Sequence, residues 1–292
     1  MQSTEYRAGG YDWLATWRHM YDGERSQAER IRLPGIGGQG DCWAAQAGRF
    51  AAAAERSQQP DGFMRFLLPR LHPGDRVLDI GAGSGRYEPT LAGAVSEVLA
   101  LEPSPAMRAT LAQRLGAAQL TNVRVIEAGW PAEGLPPCDV AIAAHVLYAV
   151  REIAPFLLGM HAAARRGCYL LLAFRHPASF ISPFWQRIHG EPRLPLPGAV
   201  ECLNALYQLG IAAQLTLVPV LNRFSYADEA EALADLRWRL RAPAELVADQ
   251  ILQDAIAELL ERDHEGRLAP RDQAEHAAAI WWESPTRGAA SL

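Results

Sequence analysis

From residue 72 onward, short apolar blocks alternate with longer blocks of helical spacing. His72-Pro73-Gly74-Asp75 reads as a turn. Compact runs rich in Val, Leu and Ile predict strands over residues 76–80, 96–102, 122–128 and 138–145. Further runs of the same kind predict strands over 167–175, 212–220 and 276–284. Helical spacing fills the gaps, over 86–94, 104–115, 152–165, 199–209, about 226–241 and 248–259. Ser104 with Pro105 gives a start signal for the second of these helices, and Pro155 falls in the first turn of the third. Ser225 with Asp228 predicts a capping box before the helix that runs to about Arg241. Strict alternation of strand and helix predicts an α/β, doubly wound sheet with helices on both faces.

The two ends of this pattern are less regular. Residues 1–40 combine aromatic and polar positions, then the glycine-rich run 34–40, which no strand precedes and which reads as a linker. Asp41 predicts a helix cap, with Trp43, Ala47 and Phe50 on one face of that helix. Residues 176–198 are dense in Pro, His and aromatics and predict a long functional loop or short helices. This organisation gives an N-terminal helical cap over 1–60. A domain over 61–292 follows, with insertions at about 176–200 and 222–262.

The chemistry concentrates where the first strand ends. Val77-Leu78-Asp79-Ile80-Gly81-Ala82-Gly83-Ser84-Gly85 joins a buried strand, an acid and three alternate glycines ahead of a helix. Glycine permits a sharp turn and a close approach of ligand to backbone. The helix start offers free N–H groups and a positive dipole end. In an open α/β sheet, this place at the carboxyl ends of the strands is where ligands bind. A dinucleotide-binding turn needs its third glycine at position 86, which is Arg86. Here that glycine is Gly85, and a second acid, Glu102, closes the next strand.

The segment 77–87 resembles motif I of class I S-adenosylmethionine-dependent methyltransferases, and 99–107 is similar to the acidic segment that follows it. Residues 125–150 resemble the adenine loop, the fourth strand and the turn beyond, so the likeness spans roughly 60–175. It implies a seven-stranded, mostly parallel Rossmann-like sheet and S-adenosyl-L-methionine as cofactor, with S-adenosyl-L-homocysteine as product. It also implies that Gly81, Ala82, Gly83 and Gly85 line the cofactor and that Asp79 serves its amino-acid end. Glu102, beside Pro103, would hold the ribose, Gly129 and Trp130 would border the adenine, and His145 would sit near the sulfonium. One departure stands out: Ala128-Gly129-Trp130 occupies a place where an acid is usual. Each residue also has a purely structural reading. Gly83 could serve only a tight turn, Trp130 only the core, His145 only a strand end. His176 and His189 could be exposed, and Trp281-Trp282 reads as packing on the last strand.

Composition narrows the chemistry. All 28 basic residues are arginine, so no lysine base or Schiff base is available. The net charge of −5 and the lack of a basic aromatic stripe argue against nucleic acid as partner. Cys42, Cys138, Cys168 and Cys202 show no metal spacing, so no metal is expected, and two of them lie in apolar runs, which fits a reducing, cytoplasmic setting. No signal-peptide pattern and no membrane-spanning run is present. Oligomeric state is not legible.

In-line methyl transfer needs donor and acceptor aligned and desolvated, and a general base only where the acceptor must lose a proton. Base candidates are His145, Tyr148 and His176. Trp13, Trp17, Tyr21, Trp43, Phe180, Phe184, Trp185, Phe224 and Tyr226 suit an enclosed site for a small-molecule acceptor, with residues 11–50, 176–200 and 222–241 as its cover. Two other readings remain open: a non-catalytic cofactor-binding regulator and a nicotinamide-dependent oxidoreductase.

Overall fold

The computed structural model describes residues 11–31, 60–221, 223–243 and 247–284. Its centre is a seven-stranded sheet in the order β3-β2-β1-β4-β5-β9-β6. The strands are β1 (Arg76–Ile80), β2 (Glu97–Leu101), β3 (Val123–Ile126), β4 (Cys138–Ala144), β5 (Ala164–Leu172), β6 (Gln214–Pro219) and β9 (His276–Glu283). The first five pair in parallel, whereas β9 runs antiparallel to both β5 and β6. β1 and β2 are buried along nearly their whole length, because helices cover both faces, and this explains why their apolar residues do not alternate with polar ones; Asp79, an acid near the end of β1, is the buried exception. Ala277, Ala278 and Ala279 fit β9 between two neighbours, and Trp282 is buried with its Nε1 donating to His161 Nδ1 at 3.1 Å. Trp281 stacks on Tyr169, so the tryptophan pair packs the sheet as expected.

Nine helices are described: α1 (Trp13–Arg30), α2 (Gly62–Leu67), α3 (Glu88–Ala92), α4 (Pro105–Ala117), α5 (Ile153–Ala163), α6 (Ser182–His189), α7 (Ala199–Gln208), α8 (Glu229–Leu240) and α9 (Asp249–Leu259). Ser104 caps α4 by accepting the Met107 N–H, with Pro105 at its first position. α3 is shorter than the 86–94 predicted, because Arg86 and Tyr87 are drawn out to Asp61 and the helix ends at Gly93. The cap of α8 is Asp228, which accepts the Glu231 N–H, and Glu231 reaches back to the Ala227 N–H. Ser225 is therefore not the cap; its Oγ accepts from Arg267 Nε. A small hairpin of β7 (Leu260–Arg262) and β8 (Leu268–Pro270), absent from the sequence reading, turns on Asp263, whose carboxylate accepts two backbone N–H groups. Three-residue strands carry too short a pattern to detect.

α1 is bound into the body of the protein. Trp17 is fully buried in the largest apolar cluster and donates from Nε1 to Val150 O at 2.8 Å. A separate apolar cluster joins the end of α1 to residues 177–189, α8 and α9, with Phe184, Trp185, Tyr226, Leu236 and Leu252 at its centre. Strand order reverses between β1 and β4, which sets a crevice at their carboxyl ends. The predicted helix over Trp43, Ala47 and Phe50 lies outside the described residues.

Candidate functional site

The loop after β1 is held from beneath. Gly81 and Ala82 donate their N–H groups to Leu101 O, at 2.8 and 3.1 Å, which ties the loop to the end of β2. Gly81, Gly83 and Gly85 all take positive φ, a conformation costly to any other residue. Their missing side chains do different work. A Cβ on Gly81 would stand 2.6 Å from Val146 Cγ2, and one on Gly85 would stand 2.7 Å from Leu111 Cδ1. These two glycines let the loop pack closely. A Cβ on Gly83 would meet only Gly81 O, at 3.9 Å, and one on Gly129 would meet nothing within 4 Å. Gly83 and Gly129 therefore border open space, as a ligand cradle requires.

Glu102 is buried and grips the loop. Its Oε2 accepts the Gly83 N–H at 2.9 Å, and its Oε1 accepts the Ser104 N–H at 2.8 Å. Each oxygen keeps a second lone pair. Pro103 beside it is exposed, and its carbonyl accepts from Arg108. Trp130 is half-buried, donates from Nε1 to Phe156 O at 3.0 Å and lies edge-on to the Phe156 ring. Its indole thus packs on α5, while Gly129 next to it is exposed.

Asp79 lies beneath the loop, almost fully buried, and faces Glu88 of α3. Glu88 is completely buried; its Oε2 accepts the Tyr87 N–H, and its Oε1 has no hydrogen-bond donor. Burial pushes both carboxyls up: Glu88 to about 7, and Asp79 well above the carboxylate range, with the Glu88 charge adding to the effect. Nearby, Asp61 accepts from Met64 N, Arg86 and Tyr87 Oη, which fastens α2 to the loop. The sequence reading missed Glu88 and Asp61. Glu88 was hidden because an acid in the first turn of a helix is ordinarily a surface residue.

The other wall follows β4. His145 takes φ 59°, left-handed for a non-glycine residue, with its N–H on Leu171 O at 2.9 Å. Tyr148 Oη accepts the Ala173 N–H at 2.6 Å and shares a hydrogen bond with His145 Nδ1 at 3.3 Å, whose direction follows the imidazole tautomer. His176 lies edge-on to the Tyr148 ring at 4.7 Å, and its Nδ1 accepts the Ala178 N–H at 3.0 Å. The structure therefore brings His145, Tyr148 and His176 together. His176 Nδ1 is fixed as an acceptor by a backbone N–H, so in the neutral form this imidazole carries its proton on Nε2, whereas His145 Nδ1 is engaged by the Tyr148 hydroxyl. Burial depresses them, His145 to about 4 and His176 to about 3, where the Arg193 and Arg239 charges add to the effect. Burial raises the Tyr148 hydroxyl above its ordinary value. His189 lies apart from this group and meets Leu240 O through Nε2.

Around His176 the cover is built on paired charges. Arg193 meets Glu24 at 2.7 Å and donates to Ala178 O, while Arg239 meets Asp235 at 2.7 Å. Of the aromatic residues predicted for the cover, Trp17, Phe184, Trp185 and Tyr226 are buried as packing, whereas Trp13, Tyr21, Phe180 and Phe224 stay partly open. Among the described residues, no group of three or more His, Cys, Asp or Glu is placed to hold a metal, and no helix is long and apolar enough to cross a membrane.

Residues 78–170 match the family model described as a methyltransferase domain. Two solved structures have similar folds. One is a Haloferax volcanii complex of the Trm112 methyltransferase activator with a candidate methyltransferase, 15% identical, covering 86% of this chain and 99% of that one, TM-score 0.53. The other is a candidate methyltransferase of Bacillus halodurans C-125, 14% identical, covering 83% of this chain and 99% of that one, TM-score 0.51. No curated protein matches the sequence.

Proposed function

We propose that the chain transfers a methyl group from S-adenosylmethionine to a small-molecule acceptor, a reading supported by the match of residues 78–170 to a methyltransferase-domain model and by the strand order of the sheet. The observation that carries this reading is the open cradle at Gly83, with Glu102 bonded to the same backbone N–H. The residues fit the cofactor. Asp79 is an acid at the buried end of the crevice, and Glu102 has lone pairs left for ribose hydroxyls. Gly81, Ala82, Gly83 and Gly85 supply the loop backbone. Gly129 supplies an open edge, with Pro103 and Trp130 beside the space for adenine. When bound, the cofactor supplies an activated methyl group on a sulfonium.

His145, Tyr148 and His176 face the acceptor in this proposal. Neutral imidazoles of such low basicity are poor proton acceptors at neutral pH. The free Nε2 edges of these rings, an N–H on His176, instead hydrogen-bond polar atoms of the acceptor and orient it. The site thus suits an acceptor atom that is already nucleophilic. Its rate advantage comes from alignment and exclusion of water. α1 and the described parts of the insertions at about 176–200 and 222–262 form the cover. Support comes from the apolar cluster that joins α1, residues 177–189, α8 and α9. The acidic chain favours a small acceptor over a polyanion.

The test is calorimetric titration with S-adenosylhomocysteine, followed by measurement of its formation from S-adenosylmethionine across a panel of small acceptors, tRNA and protein. Binding with turnover on a small acceptor is expected. Failure to bind refutes the cofactor assignment. Turnover on tRNA or protein alone refutes the acceptor class. Binding without turnover on any acceptor marks a regulator rather than an enzyme.

A further inference from the structure

The carboxyl groups of Asp79 and Glu88 are buried together under the glycine loop. Glu88 Oε1 is sealed from solvent and no N–H or O–H donor reaches it, while Oε2 is used by the Tyr87 N–H. A buried anionic oxygen with no donor is strongly disfavoured, and two carboxylates in contact cannot both stay ionised cheaply. A proton held between Glu88 and Asp79 answers both problems. The other charged and titratable groups facing the pair do not remove the need for it. Glu102, at the end of β2, is a third acid and repels. Arg114, from α4, attracts Glu88. Tyr87 gives its hydroxyl to Asp61, and Asp61 is paired with Arg86.

We propose that Glu88 is a positioning residue: with Asp79 it holds one shared proton in the free protein, and that proton leaves to solvent when the cationic ammonium group of the cofactor's amino-acid end settles at Asp79. This rests on the cofactor reading above. The balance is simple. The pair goes from one negative charge to two, the ammonium supplies one positive charge, and a single proton passes to the buffer. No bond to carbon forms or breaks. The upward displacement of both carboxyls by burial agrees with this order of events. Cofactor capture then becomes proton-linked, and Glu88 sets the linkage without needing to touch the ligand.

The experiment titrates the full chain with S-adenosylhomocysteine by calorimetry, in pairs of buffers of different ionisation enthalpy, from pH 5.5 to 8.5. Below neutral pH, about one proton should be released per ligand, and the observed affinity should rise roughly tenfold per pH unit until the pair has ionised. 5′-Methylthioadenosine, which lacks the amino-acid end, should bind with no proton release. Glu88→Gln should bind S-adenosylhomocysteine with a smaller proton release and a shallower pH slope below neutral pH, because the Glu88 charge no longer adds to the burial of Asp79; an effect on packing alone would leave both unchanged. Wild-type binding without proton release overturns the inference and leaves the cofactor reading intact, as does an unchanged proton count in Glu88→Gln. If that variant does not fold, the wild-type proton count and the methylthioadenosine control still decide. Absence of binding at every pH overturns the cofactor reading, and this inference with it.

Discussion

Replacing Gly83 by alanine separates a ligand cradle from a tight turn. The residue takes φ 60°, so alanine there carries the left-handed penalty of roughly 1–2 kcal/mol. No packing penalty adds to it, because the new methyl would meet only Gly81 O at 3.9 Å. For a chain of this size, such a loss lowers Tm by roughly 2–8 °C. Gly81→Ala is the matched control. It takes a similar backbone cost, at φ 75°, and drives its methyl to 2.6 Å from Val146, an overlap whose relief adds about 1–3 kcal/mol. The turn reading predicts that both variants lose stability and that Gly83→Ala, where folded, binds normally. The cradle reading predicts that Gly83→Ala loses only this backbone cost, less than Gly81→Ala loses, and yet binds S-adenosylhomocysteine at least tenfold more weakly, about 1.4 kcal/mol. Thermal melts give the first quantity and calorimetry well below Tm gives the second. Normal affinity in folded Gly83→Ala refutes the placement of the cofactor against this loop.

Glu102→Ala strands two backbone N–H groups at a buried position, so it should cost about 2–4 kcal/mol of stability in chemical denaturation, with a further loss of cofactor affinity of at least roughly tenfold. Normal affinity in that variant would mean that another residue holds the ribose. Glu88, raised to about 7 from 4.5, contributes stability that is complete below pH 4.5 and lost as pH rises through 7. The Tm of wild type minus that of Glu88→Gln should therefore shrink from pH 5 to pH 8, and a constant difference would contradict the shared proton. His145 and His176 act in the opposite sense: their neutral burial contributes stability that is complete above 6.5 and lost as pH falls toward 4 and 3, so His176→Gln should flatten the acid side of the wild-type Tm profile. Trp17→Ala should cost about 3–5 kcal/mol, because the ring is fully buried in the main core. Deletion of residues 1–40 would lose the same packing, so the cover is better tested at half-buried Tyr21: Tyr21→Ala should impair turnover while leaving S-adenosylhomocysteine affinity unchanged by calorimetry.

The sheet strands were legible because each signal is local. A strand buried on both faces is mostly a run of apolar residues, as at 98–101, and Ser104 with Pro105 marks a helix start within four residues. The loop after β1 was legible for the same reason, since positive φ calls for glycine at fixed places. The direction of β9 was not, because an apolar run reads the same in a parallel or an antiparallel pair. The β7–β8 hairpin was too short to carry a pattern. The cap at Asp228 was taken for Ser225 because both residues can accept a backbone N–H, and only the helix start chooses between them.

Within the candidate site, the sequence by itself determined the fold class, the glycine loop and the two strand-end acids, Asp79 and Glu102. It also marked His145, Tyr148 and His176 as worth attention, without the means to show that they meet. Tertiary structure alone decided which glycine faces open space, because that depends on Val146 and Leu111, residues remote in the chain. It also decided that Trp17, Trp185 and Tyr226 are packing and that both imidazoles have Nδ1 occupied. Above all, it set Glu88 against Asp79. The physical reason is range. Propensity, capping and backbone sterics act over a few residues and leave a mark in sequence, whereas burial, charge coupling and proton sharing depend on distances between groups that only the folded chain brings together.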